Sequence, residues 1–227
     1  MGYKEVMSEL ESLGSEQTRK TYRRHGVSGE VYGVSYADLE RLKKKLKVDH
    51  ELATQLWATR NHDARILSTK IADPALMSAS LLEAWIKDLG DDVVAQAFAL
   101  LASRTVSARQ KMEKWSKSKD ERIGSVGWMI LGQLAMNDES LPDAYFEPYL
   151  ETIEREIHTH LNRVRYVMNG ALIAIGMRNP VLQKKALAAA KKIGQVVVDH
   201  GDTNCKTPDA TTYILKAANR KRAASQA

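Results

Sequence analysis

Apolar residues recur at helical spacing from Tyr36 onward, and Gly, Pro, Asn or Asp separates each apolar run from the next. This alternation is typical of amphipathic helices joined by short turns. Ser35 precedes the first of these runs as a helix-capping residue, and the third run stops before Pro74, where a helix is interrupted. Further runs of the same kind continue along the chain, and the last begins near Thr207 and Pro208. The pattern predicts an all-α protein.

Four segments open with polar residues and then become apolar, beginning at His62, Asp91, Asp120 and Leu161. Their separations are roughly 30 to 40 residues, the range in which two-helix repeats of the HEAT type fall. In such arrays each repeat buries the apolar face of its neighbour. The prediction is therefore a HEAT-like repeat solenoid of antiparallel helix pairs, an α-α superhelix. A compact, non-repetitive helical bundle is the alternative.

The same pattern suggests three parts to the chain. Residues 1–34 are predicted to form an N-terminal segment of helix and loop that packs on the array, and residues 35–218 the HEAT-like repeat domain. Residues 219–227 begin with the run Asn219-Arg220-Lys221-Arg222 and are predicted to form a basic, disordered tail.

Composition narrows the functional classes. The chain has 227 residues, of which 44% are hydrophobic, and 34 Lys and Arg against 28 Asp and Glu give a net charge of +6. This modest excess makes polyanions plausible partners. Cys205 is the single cysteine, which excludes an internal disulfide. Because no apolar run reaches the length of a membrane span, we expect a soluble, cytoplasmic protein with no membrane partner.

Three short stretches carry a resemblance to a known family. Asp49-His50-Glu51-Leu52-Ala53-Thr54-Gln55-Leu56-Trp57 is followed by His62-Asp63-Ala64-Arg65 and then by Ile71-Ala72-Asp73-Pro74. This succession resembles the bacterial DNA alkylation repair family of the AlkD type, and the segment from Lys114 to Glu121 fits the same register. The likeness covers residues 36–176. It implies a HEAT-like solenoid whose concave, basic face binds duplex DNA largely through the backbone.

The resemblance also implies a chemistry, the excision of N3- and N7-alkylated purines by an aspartate flanked by two tryptophans and an arginine. Against that pattern, Asp91 stands at the position of a tryptophan and Ala95 at that of the aspartate. Gly124 and Ser125 stand where the family carries an arginine pair. We therefore expect a DNA-binding protein that resembles these repair enzymes, with base-excision activity in doubt. The alternative is an active alkylpurine DNA glycosylase with a non-standard acid, for which Asp91 and Asp92 are the catalytic candidates.

Distributed Lys and Arg side chains are sufficient to bind phosphates, since this binding does not depend on one catalytic carboxylate. One subset, Arg65, Arg122, Arg163 and Arg165, is predicted near the start of successive inner helices, an arrangement that solvated helix faces alone do not require. The expected partner is double-stranded or branched DNA, contacted through its phosphate backbone. The candidate DNA-binding residues are Arg65, Lys70, Lys117, Lys119, Arg122, Arg163 and Arg165.

Two further segments are rich in reactive side chains. The Asp199–Lys206 turn is a candidate site for a protein or small ligand, which would make the protein a helical scaffold, although a structural turn is the simpler interpretation. The spacing within it matches no standard zinc pattern, so no metal is predicted. No Walker or dinucleotide pattern is present either, so no cofactor is expected. The candidate residues of these segments are Asp199, His200, Asp202, Cys205 and Lys206 in the turn and Arg23, Arg24 and His25 near the N-terminus.

Overall fold

The computed structural model describes the backbone of residues 1–224 and the side chains as far as Arg220. This part of the chain contains helices and no strands, and Pro74–Leu76 form a short 3-10 turn. The helices are α1 (Tyr3–Leu13), α2 (Glu16–Arg24), α3 (Tyr36–Leu46), α4 (His50–Ala58), α5 (His62–Ile71), α6 (Ala79–Ile86), α7 (Asp92–Ala102), α8 (Ala108–Trp115), α9 (Glu121–Asn137), α10 (Asp143–Glu156), α11 (Asn162–Arg178), α12 (Pro180–Ile193) and α13 (Ala210–Ala224).

Most of these helices begin at a Ser, Asp or Asn whose side chain accepts a hydrogen bond from a backbone N–H of the first turn. Such a cap satisfies one of the donors that the helix itself leaves unpaired. The predicted cap at Ser35 is confirmed, because its hydroxyl accepts from the Asp38 N–H at 3.1 Å. The other side-chain caps are Ser15, Asp49, Asn61, Ser78, Asp91, Asp120 and Asn179.

The described chain divides into two compact units, Met1–Ala108 with Gly201–Thr203, and Arg109–His200 with the residues from Asn204 onward. In the first unit α5 is central and packs against α3, α4 and α7, while α1 contacts α4 and α5. The rings of Trp57 and Trp85 stack at 4.1 Å, and Phe98 lies against both. All three side chains are buried, so they form the core of this unit.

Within the second unit, α9 and α11 lie side by side and run in the same direction. At their amino-terminal ends, the Glu121 carboxylate accepts a hydrogen bond from the Arg163 N–H at 2.7 Å. Near their carboxy-terminal ends, the Arg178 guanidinium donates to the Ala135 carbonyl at 2.9 Å. The next two helices, α10 and α12, are likewise parallel.

Contacts along the whole length of α10 and α12 establish that second pairing. Asp143 and Asn179 meet where the two helices start, at 2.7 Å, and Glu154 pairs with Lys192 near their ends, at 2.8 Å. Because Asp143 also lies beside the Arg178 side chain at the end of α11, α10 starts where α11 ends. The unit is therefore built from stacked antiparallel helix pairs, as the sequence predicts.

Helix α12 ends at Ile193, before the β-branched residues that follow as far as Val198, because Gly194 adopts a positive φ of 68°. One expected boundary differs from the structure. Helix α13 continues to Ala224, so the first residues of the predicted disordered tail are helical. Residues 225–227 of that tail lie outside the described residues. None of the described helices is both long and apolar enough to span a lipid bilayer.

Candidate nucleic-acid interface

Five of the predicted DNA-binding residues lie at one end of the second unit. Lys117 and Lys119 are in the loop that precedes α9, Arg122 is in the first turn of α9, and Arg163 and Arg165 are in the first turn of α11. The first three are exposed and the two α11 arginines are half-buried. We call these five residues the basic edge. The structure brings them together because α9 and α11 start side by side.

Two glycines of α9 allow the lysine-bearing loop to lie directly on this helix. A Cβ at Gly127 would stand 2.2 Å from the backbone nitrogen of Ser116, and one at Gly124 would stand 3.2 Å from the carbonyl oxygen of Ser118. Only a residue without a side chain permits such an approach at Gly127. The loop that carries Lys117 and Lys119 is thus fixed over the first two turns of α9.

The helix starts at the basic edge add to its attraction for anions, since the first turn of a helix carries partial positive charge and unpaired N–H groups. The Asp120 carboxylate caps α9 by accepting from the Ile123 N–H at 2.9 Å. Helix α11 follows Leu161 and has no side-chain cap, and Glu121 accepts from one of its N–H groups, that of Arg163. The carboxylates of Asp120 and Glu121 are therefore both engaged with backbone groups.

The Asp199–Lys206 turn begins beside this edge. Asn162 and Asp199 exchange two hydrogen bonds, at 2.7 and 2.8 Å. The His200 ring meets the Tyr166 ring edge to face at 5.5 Å, and the Arg163 guanidinium lies 5.0 Å from the same Tyr166 ring. The turn is thereby fastened to the first turn of α11.

Further along the turn, His200 Nε2 lies 3.0 Å from the Thr207 hydroxyl. Asp202, Cys205 and Lys206 are exposed. Among the described residues, no three His, Cys, Asp or Glu side chains are grouped so as to hold a metal ion. The contacts on either side of the turn fit the structural interpretation.

Arg65, in contrast, lies in the interior of the first unit, where its side chain is only 3% exposed. Its guanidinium donates to the Trp57 carbonyl at 3.1 Å and also to the carbonyl and carboxylate of Asp88, and it stacks over the Trp57 ring at 4.8 Å. Burial lowers the pKa of Arg65, and the Asp88 charge opposes that shift. Its contacts make Arg65 a residue that joins helices, and its surroundings give no support to the predicted phosphate contact.

Lys70 is also engaged within the first unit. Its ammonium forms an ion pair with Glu40 and lies 5.8 Å from the Tyr36 ring. The Lys70 hydrogen bond is the main cause that lowers the pKa of Glu40. These contacts of Lys70 give no support to the predicted phosphate contact.

The two catalytic candidates stand at the start of α7. One Asp91 oxygen accepts from the Val93 and Val94 N–H groups, both at 2.9 Å, and the other lies 2.8 Å from His62 Nδ1. Burial alone raises the pKa of Asp91, but the hydrogen bond and charge of His62 and the two N–H groups together lower it. Asp92, in the first turn of α7, is half-buried. The two Asp91 oxygens are thus engaged in a helix cap and in a buried hydrogen bond to His62.

Asp63, which the sequence did not single out, organises the loop between α2 and α3. Its carboxylate is fully buried and accepts from the N–H groups of Tyr32, Gly33 and Val34, at 2.6, 3.1 and 2.9 Å. The one signal in the sequence that could have identified Asp63 is its place in the first turn of a predicted helix. Its three donors are about 30 residues distant, so only the tertiary structure identifies them.

Arg23, Arg24 and His25, the N-terminal candidates, are exposed at the end of α2 in the same unit. The Arg23 guanidinium donates to the Val27 carbonyl at 2.8 Å and so holds the start of the loop.

Comparison with known proteins agrees with this architecture. One protein of known structure superposes on this chain with a TM-score of 0.90 at 32% identity, over 98% of this chain and 96% of that protein. It is described as one of a new family of proteins related to the HEAT-like repeat DNA glycosylases with affinity for branched DNA structures. The predicted all-α, HEAT-like fold is thereby confirmed. The uncharacterized proteins Lin0241 of Listeria innocua and Lmo0209 of Listeria monocytogenes are each 33% identical, over 96% and 97% of this chain and 98% and 99% of their own lengths. Residues 6–214 match the family described as DNA alkylation repair enzyme, and the chain belongs to that family.

Proposed function

We propose that this protein binds double-stranded or branched DNA through the phosphate backbone and that the basic edge is one of its contact surfaces. The observation that carries the proposal is the convergence of five cationic side chains on the adjoining starts of α9 and α11. Family membership and the DNA affinity for which the solved relative is described support it.

The composition of the basic edge suits backbone recognition. Arginines can hold a phosphate through two parallel hydrogen bonds, lysines add point charge, and the helix starts offer backbone N–H groups. Contacts of this kind fix a protein on DNA without reading its sequence. We therefore expect binding that depends strongly on salt and weakly on base sequence.

The test compares wild type with the double variant Lys117→Glu/Lys119→Glu. A matched control is Lys184→Glu/Lys191→Glu, which makes the same charge change at two exposed positions of α12 in the same unit. Fluorescence anisotropy with a linear duplex and a four-way junction, measured across a salt series, gives the affinity and its salt slope. The basic-edge variant is expected to lose about 0.9 of slope for each lost phosphate contact, and about eightfold in affinity per contact at 0.1 M salt.

The control should bind as wild type does, after allowance for the common change in net charge. Equal effects of the two double variants would refute the role of the basic edge. If wild type binds neither DNA even at low salt, a helical scaffold that binds a protein or small ligand at the Asp199–Lys206 turn becomes the better hypothesis.

We further propose that binding does not proceed to base excision. The position that the family resemblance assigns to the catalytic aspartate holds Ala95, a buried methyl group with no acid chemistry. Incubation with duplex containing 7-methylguanine should release no base above the uncatalysed rate. Clear turnover that Asp91→Asn or Asp92→Asn abolishes would identify the protein as a glycosylase with a non-standard acid.

A further inference from the structure

Helix α2 of the first unit carries a cationic groove that the basic edge does not include. The groove has a volume of about 610 Å³ and is lined by Glu16, Gln17, Arg19, Lys20, Arg23 and Arg24. Four cations thus face one carboxylate. The nine-residue helix is among the most polar of the chain, and its one buried side chain is Tyr22.

The loop between α2 and α3 holds this helix in place from its inner side. The Tyr22 hydroxyl donates to the Val34 carbonyl at 2.6 Å, and the Tyr22 ring packs with Val27 and Val31 in a small apolar cluster. Asp63 fixes the other end of the loop through the three N–H groups described above. The groove is therefore built on a preorganised support, and a ligand would not have to order it on binding.

Two of its arginines are oriented by the same loop. Arg19 donates to the Tyr32 carbonyl at 3.0 Å and pairs with Glu16 at 2.9 Å, and Arg23 donates to the Val27 carbonyl at 2.8 Å. These bonds aim the guanidinium groups and leave some of their five N–H donors for an outside acceptor. The single carboxylate of the groove, that of Glu16, is already occupied.

Lys20 and Arg24 complete the groove. Both are exposed, and neither has an ion pair or hydrogen bond within the part of the chain that the structure describes. They stand four residues apart, which places them on the same face of the helix, about 6 Å apart along its axis. Cations so spaced can each take a separate phosphate of one strand.

We propose that the α2 groove is a second phosphate-binding surface, which holds the backbone of a DNA arm independently of the basic edge. This inference rests on the proposed function and extends it, because a protein with two such surfaces can engage two stretches of backbone. The charge and the unfilled arginine donors favour phosphate oxygens, and the absence of a deep apolar pocket among the lining residues disfavours base recognition.

The test adds the double variant Lys20→Glu/Arg24→Glu to the anisotropy series with linear duplex and four-way junction. Because both side chains are exposed, the variant should keep the wild-type circular dichroism spectrum and melting temperature. It is expected to lose about 2 units of salt slope and about 60-fold in affinity at 0.1 M salt, whereas Lys184→Glu/Lys191→Glu should lose neither.

The outcomes separate the two proposals. An effect of the α2 variant no larger than that of the control overturns this inference, while the proposed function stands if Lys117→Glu/Lys119→Glu still weakens binding. If the α2 variant weakens binding and Lys117→Glu/Lys119→Glu does not, the α2 groove is supported as a DNA-binding surface and the basic edge is refuted as one. Failure of wild type to bind DNA at low salt overturns both. Loss of affinity for a fluorescent polyglutamate peptide, with DNA binding unchanged, also overturns the inference, because the groove would then bind acidic protein segments.

Discussion

Replacing Gly127 with alanine is expected to damage both the stability of the second unit and the placement of the basic edge. The added Cβ would lie 2.2 Å from the backbone nitrogen of Ser116, 2.6 Å from its Cα and 2.6 Å from the carbonyl carbon of Trp115. All three are backbone atoms, so no side-chain rotation can relieve the overlap. The loop that carries Lys117 and Lys119 has to move away from α9.

The size of the effect follows from two opposing contributions. Alanine gains up to about 1 kcal/mol over glycine inside a helix. Overpacking against a rigid neighbour typically costs about 1–3 kcal/mol, and this overlap is severe. The upper end of that cost, less the gain in helix propensity, leaves a net fall of about 2 kcal/mol in the free energy of unfolding.

Gly170 supplies a matched control in the middle of α11, a helix of the same length in the same unit. A Cβ there would meet nothing within 4 Å, so Gly170→Ala is expected to keep the full helix-propensity gain of about 1 kcal/mol. The two variants should thus differ by about 3 kcal/mol, which for a protein of this size is a difference of roughly 6 to 12 °C in melting temperature.

Thermal unfolding followed by circular dichroism measures this difference, and anisotropy with duplex DNA measures the consequence for binding. Gly127→Ala should also weaken DNA binding at temperatures where it is folded, while Gly170→Ala should not. If Gly127→Ala proves as stable as Gly170→Ala, the close approach of the Ser116 backbone to α9 is refuted. Reduced stability with unchanged DNA affinity would instead show that the loop with Lys117 and Lys119 is not part of the DNA-binding surface.

Two further predictions concern side chains of the first unit. Asp91→Asn retains a capping oxygen for α7 but removes the carboxylate charge that faces His62. Because the folded-state pKa of Asp91 is lowered, the ionised carboxylate stabilises the folded protein above about pH 4, and this stabilisation is lost as pH falls through the folded-state pKa. Urea unfolding should therefore show a wild-type advantage near pH 7 that shrinks below pH 4. A pH-independent difference would contradict the conclusion that the folded state favours the ionised form of Asp91. Arg65→Lys retains the charge, but an ammonium cannot span the carbonyls and carboxylate that Arg65 reaches, so the free energy of unfolding should fall by about 1–3 kcal/mol while the salt slope of DNA binding stays at its wild-type value. A smaller salt slope for this variant would indicate that Arg65 does contact DNA.

The arginines of the predicted inner helices illustrate how far local sequence information reaches. All four stand near the start of a helix, as the sequence indicates, yet Arg65 is buried against Trp57 and Asp88 whereas Arg122 is exposed. The residues that determine whether each arginine is buried lie in other segments of the chain. An equivalent position in the repeat thus predicts where along its helix an arginine lies. It does not predict which residues that arginine contacts.

The helices and their class of packing follow from local features of the sequence. Apolar spacing, capping residues and helix breakers act over three or four neighbouring positions, so these features can be read directly along the chain. Which groups meet across 29 or more residues depends on the tertiary structure: Asp63 contacts the loop before α3, Asp91 contacts His62, and the start of α9 contacts that of α11. Burial and hydrogen-bond partners arise from packing between segments that are distant in the sequence. This packing buries Arg65 among its partners and leaves the residues around Arg122 and Arg163 as the basic edge.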